Sequence, residues 1–434
     1  MNEPANSSVR WFLIFWLFVL SAVAFLDRIN ISIAGSSIAS EFGLSKVRLG
    51  WVFSAFLVGY ALFQTLGGWL ADRLGPRRVL TLGVLWWGLF TALTATVSNR
   101  LAGALVLFIA IRFLLGAGEA IIYPASNQFV ARWIPSRERG VANGVIFAGV
   151  GVGAGVTPPL ITFLLIHYGW RLSFWISAGI GLLVGVVWYA ISRDTPEGHP
   201  RVSAAELASI QAGRTFGPAT GVEQKELVSW TTILKSKEVW AITFSYFCYG
   251  YVAWIFLGWF YIYLKEVRRL DLKSSATHTS LLFLAMAACA PLGGVLSDQL
   301  AREYGERVGR CGVAVVALSF TSILLLLGSR AASAELASAV LAGGAGALYF
   351  SQSSFWSVTA DIAGASAGTV SGFMNMGAQL GGAVTVAVTP LIAGWFGWSA
   401  SFYVAAGLAA AGAVAWLAVD PSAKLAPSQR ETSS

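Results

Sequence analysis

Long apolar stretches recur along the whole 434-residue chain, and they constrain its fold more than any other feature. A helix that crosses the roughly 30 Å hydrocarbon core of a bilayer needs about 20 mostly apolar residues. Twelve such stretches lie at residues 11–39, 48–70, 79–98, 102–125, 140–163, 171–192, 239–264, 278–298, 311–329, 335–356, 366–391 and 398–419. The sequence therefore predicts an all-α polytopic membrane protein with twelve transmembrane helices.

Composition excludes several other classes of protein. Only 12% of the residues are charged, whereas soluble domains average about 25%. The mean hydropathy of +0.69 is equally far from that of a disordered chain. Three cysteines and three histidines are scattered through the sequence, so their spacing predicts neither a disulfide framework nor a metal site. Without a nucleophile or an acid–base cluster of these residues, we expect no enzymatic activity and no cofactor.

A charged segment divides the chain into two sets of six spans. Residues 193–238 form a predicted cytoplasmic linker between an N-terminal bundle (1–192) and a C-terminal bundle (239–419), which is followed by a tail (420–434). When alternate loops are assigned to opposite sides, 18 lysines and arginines collect on the linker side and 9 on the other. Basic loops stay in the cytoplasm, so both termini are predicted to be cytoplasmic in an inner cell membrane. The net charge of +8 then reflects orientation, and we expect a monomer in the bilayer without a nucleic-acid partner.

The two halves repeat in sequence. The segment Gly67–Arg78 after the second span has a degenerate counterpart in Gly293–Arg310 after the eighth. Asp72 and Asp298 hold equivalent places in these two segments. Parallel repeats of this kind are typical of transporters whose halves rock around a site at the middle of the membrane.

The loop after the second span resembles the signature of the major facilitator superfamily. The matching residues are Gly68, Leu70, Asp72, Arg73, Gly75, Arg77 and Arg78. Within that superfamily, Phe25–Ser32, Ile111–Pro124 and Gly372–Gly382 resemble the anion:cation symporter family, and the resemblance covers nearly the whole chain. It implies a small organic anion as substrate, such as a hexuronate, aldonate or aldarate, and a proton as the coupling ion.

Four charged residues fall inside predicted spans: Asp27, Arg28, Arg112 and Glu119. Charges at that depth are costly and usually functional. Asp27 and Arg28 are adjacent and point about 100° apart, so at least one needs a partner on another helix. Arg112 and Glu119 share a face but lie about 10 Å apart along the axis, too far for a direct pair. The alternative is that these charges only join spans one and four as ion pairs.

Chemistry divides these four residues into two roles. An arginine is permanently charged and grips a carboxylate with two hydrogen bonds, whereas a buried carboxyl group can change protonation as its surroundings change. The resemblance implies that Arg112 faces the substrate carboxylate, that Arg28 is a second cation, and that Asp27 and Glu119 carry the proton.

Neutral polar residues on other spans are predicted to set selectivity, because each pair shares one helix face. The pairs are Tyr60 with Gln64, Ser353 with Trp356, and Asn375 with Gln379. The resemblance implies hydroxyl contacts for Tyr60, Ser353, Trp356 and Asn375. Tyr246 stands where some sugar-acid permeases carry glutamine, so the substrate polyol is open, and Tyr246 either binds substrate or packs.

Two further features concern movement between the halves. Asp72, Arg73 and Arg78 are predicted to form gating ion pairs at the cytoplasmic face in one conformation. Glycines of spans five and eleven, such as Gly149, Gly153 and Gly381, indicate either a moving interface between the halves or tight static packing.

The sequence favours a proton-coupled importer of an organic anion. The alternatives are an exchanger or facilitator for aromatic carboxylates, and a non-transporting membrane sensor on the same scaffold. An exporter of cations is disfavoured because two arginines at the middle of the membrane would repel its substrate.

Overall fold

A computed structural model describes residues 8–101, 103–214 and 227–425. Within these ranges all regular structure is helical. The α-helices are α1 (Val9–Phe42), α2 (Lys46–Leu74), α3 (Pro76–Thr96), α4 (Ala104–Glu119), α5 (Ile122–Trp133), α6 (Arg139–Ile191), α7 (Ala204–Ala212), α8 (Trp230–Lys235), α9 (Lys237–Trp254), α10 (Phe260–Ile262), α11 (Leu272–Tyr304), α12 (Val313–Arg330), α13 (Ala334–Phe350), α14 (Gln352–Ala363), α15 (Ala367–Phe396) and α16 (Trp398–Ala415). Short π-helical turns at Ile255–Trp259, Tyr263–Val267 and Arg307–Gly312 extend α9, α10 and α12.

Ten helical segments of the described chain are long and apolar enough to cross a membrane. Two of them, Ser136–Ile191 and Ala334–Phe396, have 56 and 63 residues, which is enough for two crossings each. Both are broken at a glycine with positive φ, Gly169 (81°) and Gly364 (49°), a conformation that glycine adopts without steric cost. Divided at these glycines, the segments are consistent with the twelve predicted spans.

The fourth and tenth spans run further than the sequence predicted. They were expected to end at 125 and 356, yet α5 continues to Trp133 and α14 to Ala363. Polar residues marked those ends in the sequence. In the fold these residues are buried between the halves, where Asn127 Nδ2 donates to Thr359 Oγ1 (3.0 Å). A polar residue that finds a partner on another helix no longer ends a span.

Packing within and between the halves uses different helices. In the N-terminal half α1 packs on α6 and α2 on α4, and in the C-terminal half α9 packs on α15 and α12 on α13. The halves meet where α2 contacts α15 and α6 contacts α11. The α2–α15 contact is backbone against backbone, because a Cβ on Gly68 would lie 1.9 Å from the Gly368 oxygen.

The glycines of spans five and eleven take part in both kinds of packing. Gly149 and Gly153 face α1 of their own half, and Gly381 faces α9. Gly151 instead faces Ala287 on α11, in the other half. The sequence offered either a moving interface or static packing, and the two kinds of contact alternate along one helix.

The described part of the linker packs on the N-terminal half. Ser203 caps α7, and Glu206 on that helix accepts hydrogen bonds from the backbone N–H groups of Val9 (3.3 Å) and Arg10 (3.0 Å). A carboxylate at a helix N-terminus is stabilising, so the linker helix is anchored to the start of α1. The end of the bundle that carries α7 is called the linker face below.

Candidate functional site

Two aspartates hold the halves together at the linker face. Asp72, near the end of α2, accepts hydrogen bonds from the backbone N–H groups of Gly368 (2.9 Å) and Thr369 (2.8 Å), which begin α15. Asp298 on α11 accepts from Gly140 (3.0 Å) and Val141 (2.7 Å), which begin α6. Each carboxylate thus satisfies otherwise unpaired N–H groups at a helix start in the opposite half.

Buried ion pairs reinforce this face. Arg139 pairs with Asp361 across the two halves, and Arg310 pairs with Asp298 (2.6 Å) and lies 3.6 Å from Asp361. The linker face is therefore closed in this conformation.

The predicted gating ion pairs require a correction. Asp72 forms backbone hydrogen bonds instead of ion pairs, and the exposed Arg73 stacks on Trp69 of its own helix. Arg78 is exposed as well, and in the described ranges none of the three forms an ion pair. Isolated helix starts are better placed than mobile arginines to receive a buried carboxylate, so the ion pairs of this face are made by Arg139 and Arg310.

A cavity of about 260 Å³ lies between the halves, beyond the closed linker face. Tyr60 on its wall stands twelve residues before Asp72 on α2, which is about 18 Å along a helix. Both halves contribute to the wall, with many aromatic rings. Among the lining residues are Phe25, Arg28, Tyr60, Tyr123, Phe147, Tyr246, Tyr249, Trp254, Tyr349, Gln352, Asn375 and Gln379.

Arg28 is the cation of the cavity wall. Its side chain is 15% exposed, and its Nε lies 3.1 Å from Oε2 of the fully buried Glu119. Its guanidinium also lies 4.1 Å from the ring centroid of Tyr60 and 4.9 Å from that of Phe25, which is within cation–π range. The sequence required a partner on another helix for Asp27 or Arg28, and Arg28 has one in Glu119.

Asp27 and Arg112 lie behind this wall. They are only 1% and 2% exposed, and neither lines the cavity. Both carboxyl oxygens of Asp27, beside Trp87, and the Nε and Nη1 of Arg112 lack a hydrogen bond of normal geometry within the described ranges. Arg112 stacks instead on Phe56 at 4.9 Å. Its predicted contact with substrate stays a prediction, and the ion-pair alternative accounts for only Arg28 and Glu119.

The C-terminal half supplies hydroxyl and amide groups. Tyr246 Oη accepts from Gln352 Nε2 (2.7 Å) and Trp356 Nε1 (2.9 Å). Ser353 donates to the Ala290 carbonyl (3.1 Å) instead of facing the cavity. Asn375 Nδ2 donates to Gln64 Oε1 across the halves (2.8 Å).

The structure brings only some of the predicted substrate residues to the cavity. Those on its wall are Arg28, Tyr60, Tyr246, Asn375 and Gln379, and those behind it are Arg112, Gln64, Ser353 and Trp356. Sequence reasoning gave no role to Tyr123, Tyr349 or Gln352. The signal for Gln352 was the polar run 351–354 inside an apolar span, where the helix breaks between α13 and α14.

A helical membrane bundle that closes at one face over a central polar cavity is the architecture of a secondary transporter. The sequence profile of the Major Facilitator Superfamily matches residues 17–385 and 303–433. The chain belongs to this superfamily, and it is a multi-pass membrane transporter and not an enzyme.

Relatives with full-length similarity carry names of anion transporters. A probable sulfoacetate transporter of Cupriavidus necator is 34% identical over 405 residues, covering 92% of this chain and 91% of that protein. A probable galactarate/D-glucarate transporter of Bacillus subtilis is 34% identical over 304 residues, covering 69% and 67%.

Among solved structures, a proton:xylose symporter has a TM-score of 0.74 at 16% identity, covering 94% of this chain and 95% of that one. The human organic anion transporter MFSD10 has a TM-score of 0.67 at 19% identity, covering 95% and 100%. At these identities the likeness is one of fold.

Proposed function

We propose that this transporter imports an organic anion together with protons, by alternating access in an inner cell membrane with both termini cytoplasmic. The observation that carries the proposal is the Arg28–Glu119 pair. It places a permanent cation on the cavity wall and its carboxylate partner in full burial behind it.

Coupling follows from the sharing of one arginine. An organic anion that enters the cavity competes with Glu119 for the guanidinium of Arg28. Breaking a buried pair leaves an uncompensated charge that costs about 3–5 kcal/mol, and a proton on Glu119 removes that charge. Anion binding and proton binding thus favour each other, and the coupling is reciprocal.

Asp27 and Arg112 form a second acid and a second cation behind the first pair. Asp27 is adjacent to Arg28 in the chain and Arg112 shares the ring of Phe56 with Arg28, so a movement of Arg28 changes the surroundings of both. We assign the first contact with the anion to Arg28, with Arg112 as a reserve cation and Asp27 as a second proton acceptor.

The names of the relatives support an anionic substrate. Sulfoacetate, glucarate and galactarate share acidic head groups that a guanidinium binds with two hydrogen bonds. A sugar acid or another small carboxylate or sulfonate is therefore the proposed cargo.

The aromatic wall favours a second candidate. Rings of Phe25, Phe147, Trp254 and several tyrosines surround Arg28, and such a wall suits the apolar body of an aromatic carboxylate. In that case the protein is an exchanger or facilitator, and transport of benzoate without proton movement identifies it. A non-transporting sensor has no such observation in its favour.

The test is Glu119→Gln in proteoliposomes loaded with sulfoacetate, D-glucarate or D-glucuronate. The variant lacks the titrating group, so we expect counterflow exchange to persist while a pH gradient no longer drives accumulation. Glu41→Gln is the matched control, because Glu41 pairs with the exposed Arg171 (2.7 Å) at the opposite end of α1. Accumulation by Glu119→Gln at the rate of the control overturns the assignment of the proton.

A further inference from the structure

The far wall of the cavity, opposite the arginine, is organised around one hydroxyl group. Tyr246 Oη receives two N–H donors, from Gln352 at 2.7 Å and from Trp356 at 2.9 Å. The Tyr246 ring packs on Phe355 (centroids 4.7 Å apart) and on Tyr249 (5.0 Å). The side chain is thus fixed in position by its neighbours and in polarity by its hydrogen bonds.

The polarity follows from the number of groups available. A phenol has one hydrogen to donate and can accept at its oxygen, and with the Gln352 amide hydrogens facing Tyr246 the oxygen is already used twice. What remains is the hydroxyl hydrogen, for which the described residues provide no acceptor. Oε1 of Gln352 also lacks a partner, but this atom is buried away from the cavity. A ligand on this side therefore meets a hydrogen-bond donor.

The size of the cavity limits the length of that ligand. Its volume of about 260 Å³ corresponds to about nine water molecules at about 30 Å³ each. A short molecule that reaches from Arg28 to Tyr246 fits this space better than a six-carbon sugar acid does.

We propose that the substrate is a short anion with two ends, in which an acidic head binds Arg28 and a second group that only accepts hydrogen bonds, a carboxylate or sulfonate, binds the Tyr246 hydroxyl. This inference rests on the proposed function and adds the class of substrate. Gln352 and Trp356 act as positioning residues, because they hold the Tyr246 oxygen and leave its hydrogen for the ligand. A hydroxyl end fits less well, because its own hydrogen finds no acceptor there.

Three sulfonates of similar length separate these possibilities. Sulfoacetate, isethionate and ethanesulfonate share the head group and end in a carboxylate, a hydroxyl and a methyl group. Calorimetric titration of the purified protein is expected to give tighter binding of sulfoacetate than of ethanesulfonate by about tenfold or more, since hydrogen bonds to charged groups are the strong ones. Isethionate is expected to fall between the two.

The variant Tyr246→Phe keeps the ring and removes only the hydroxyl group. We expect the ratio between sulfoacetate and ethanesulfonate affinities to fall to within about twofold, and Gln352→Met to reduce it partly. Tyr251→Phe is the control, because Tyr251 is buried on the same helix and does not line the cavity. A purely structural role of Tyr246 would weaken all three ligands equally and leave the ratio unchanged.

The outcomes are distinct. A ratio that survives in Tyr246→Phe, or tighter binding of isethionate than of sulfoacetate, overturns the inference. Binding of D-glucarate by a protein that ignores all three sulfonates also overturns it while leaving the proposed function intact. Failure to bind any of these anions overturns the proposed function itself.

Discussion

The two halves of the molecule are alike at the linker face and unlike at the cavity. At the linker face each half offers an aspartate, Asp72 or Asp298, to a helix start of the other. At the cavity the N-terminal half contributes the buried charges, among them Arg28 and Glu119, whereas the C-terminal half contributes neutral donors such as Tyr246.

This contrast separates the parts that move from the parts that recognise. Two halves that rock against each other need matched contacts, because opening must release both sides of one interface together. Binding and proton transfer need one cation and one acid at a single place, and a duplicated set would create a second, competing site. Three substitutions test this contrast, and they follow from the largest expected effect to the smallest.

Removal of the exposed cation should show the asymmetry most strongly. With Arg28→Gln, Glu119 loses its partner and the anion loses its head-group contact, so the affinity for the tightest ligand among sulfoacetate, D-glucarate and D-glucuronate is expected to fall about a hundredfold or more, which corresponds to about 2–5 kcal/mol for a buried charge contact. Titration of purified protein measures it, with thermal unfolding as the check on folding.

Arg112→Lys is the companion variant. Arg112 lies behind the wall, so a lysine that keeps the charge should change affinity less than Arg28→Lys does. A larger loss at Arg112 would exchange the roles of the two arginines and return substrate contact to the residue that the sequence favoured.

The second substitution breaks the symmetric interface by steric means. An alanine methyl group at Gly68 would lie 1.9 Å from the Gly368 oxygen, so α2 and α15 must separate before the linker face closes. We expect Gly68→Ala to reduce transport about tenfold or more while binding persists, since overpacking of this kind costs about 1–3 kcal/mol or more.

A control glycine is available on α6. Gly155 has nothing within 4 Å of its added Cβ, so Gly155→Ala should transport normally and unfold at the same temperature or higher, because alanine favours a helix by up to about 1 kcal/mol over glycine. Normal transport by Gly68→Ala would show that the two helices need not touch during the cycle.

The third substitution compares the two aspartates directly. Asn at position 72 or 298 accepts one backbone N–H but loses the charge, so each variant should weaken closure of the linker face by about 1–2 kcal/mol. Transport should slow several-fold with nearly unchanged substrate affinity. The Asp298→Asn effect should be the larger one, because Arg310 also loses a partner. A defect in only one variant would break the symmetry of the interface.

Much of this fold could be predicted because membrane burial acts on each segment separately. Apolar length identified the spans, and the repeat of the Asp72 and Asp298 segments indicated two related halves. The ends of spans four and ten could not be predicted, since Asn127 is polar yet buried by a partner that only the folded chain supplies. Spacing along one helix contains no information about another helix.

The same limit explains the candidate site. The four buried charges were evident because charge in an apolar span is rare. Their pairing was not, because Arg28 and Glu119 lie on different helices and Arg112 shares a face with Glu119 without reaching it. Gln352 escaped notice for a similar reason, since its importance comes from the oxygen of Tyr246.

The buried cluster has one more consequence, which concerns voltage. With both carboxylates ionised, Arg28 and Arg112 balance Asp27 and Glu119, so the empty carrier has no net charge at its centre. A monoanion with one proton, or a dianion with two, preserves that balance. Moving one elementary charge through 100 mV costs or yields about 2.3 kcal/mol, and a carrier that works as proposed avoids this term in both directions of its cycle. The electrical part of the proton-motive force then contributes nothing to accumulation, and the pH difference alone sets how far the anion is concentrated.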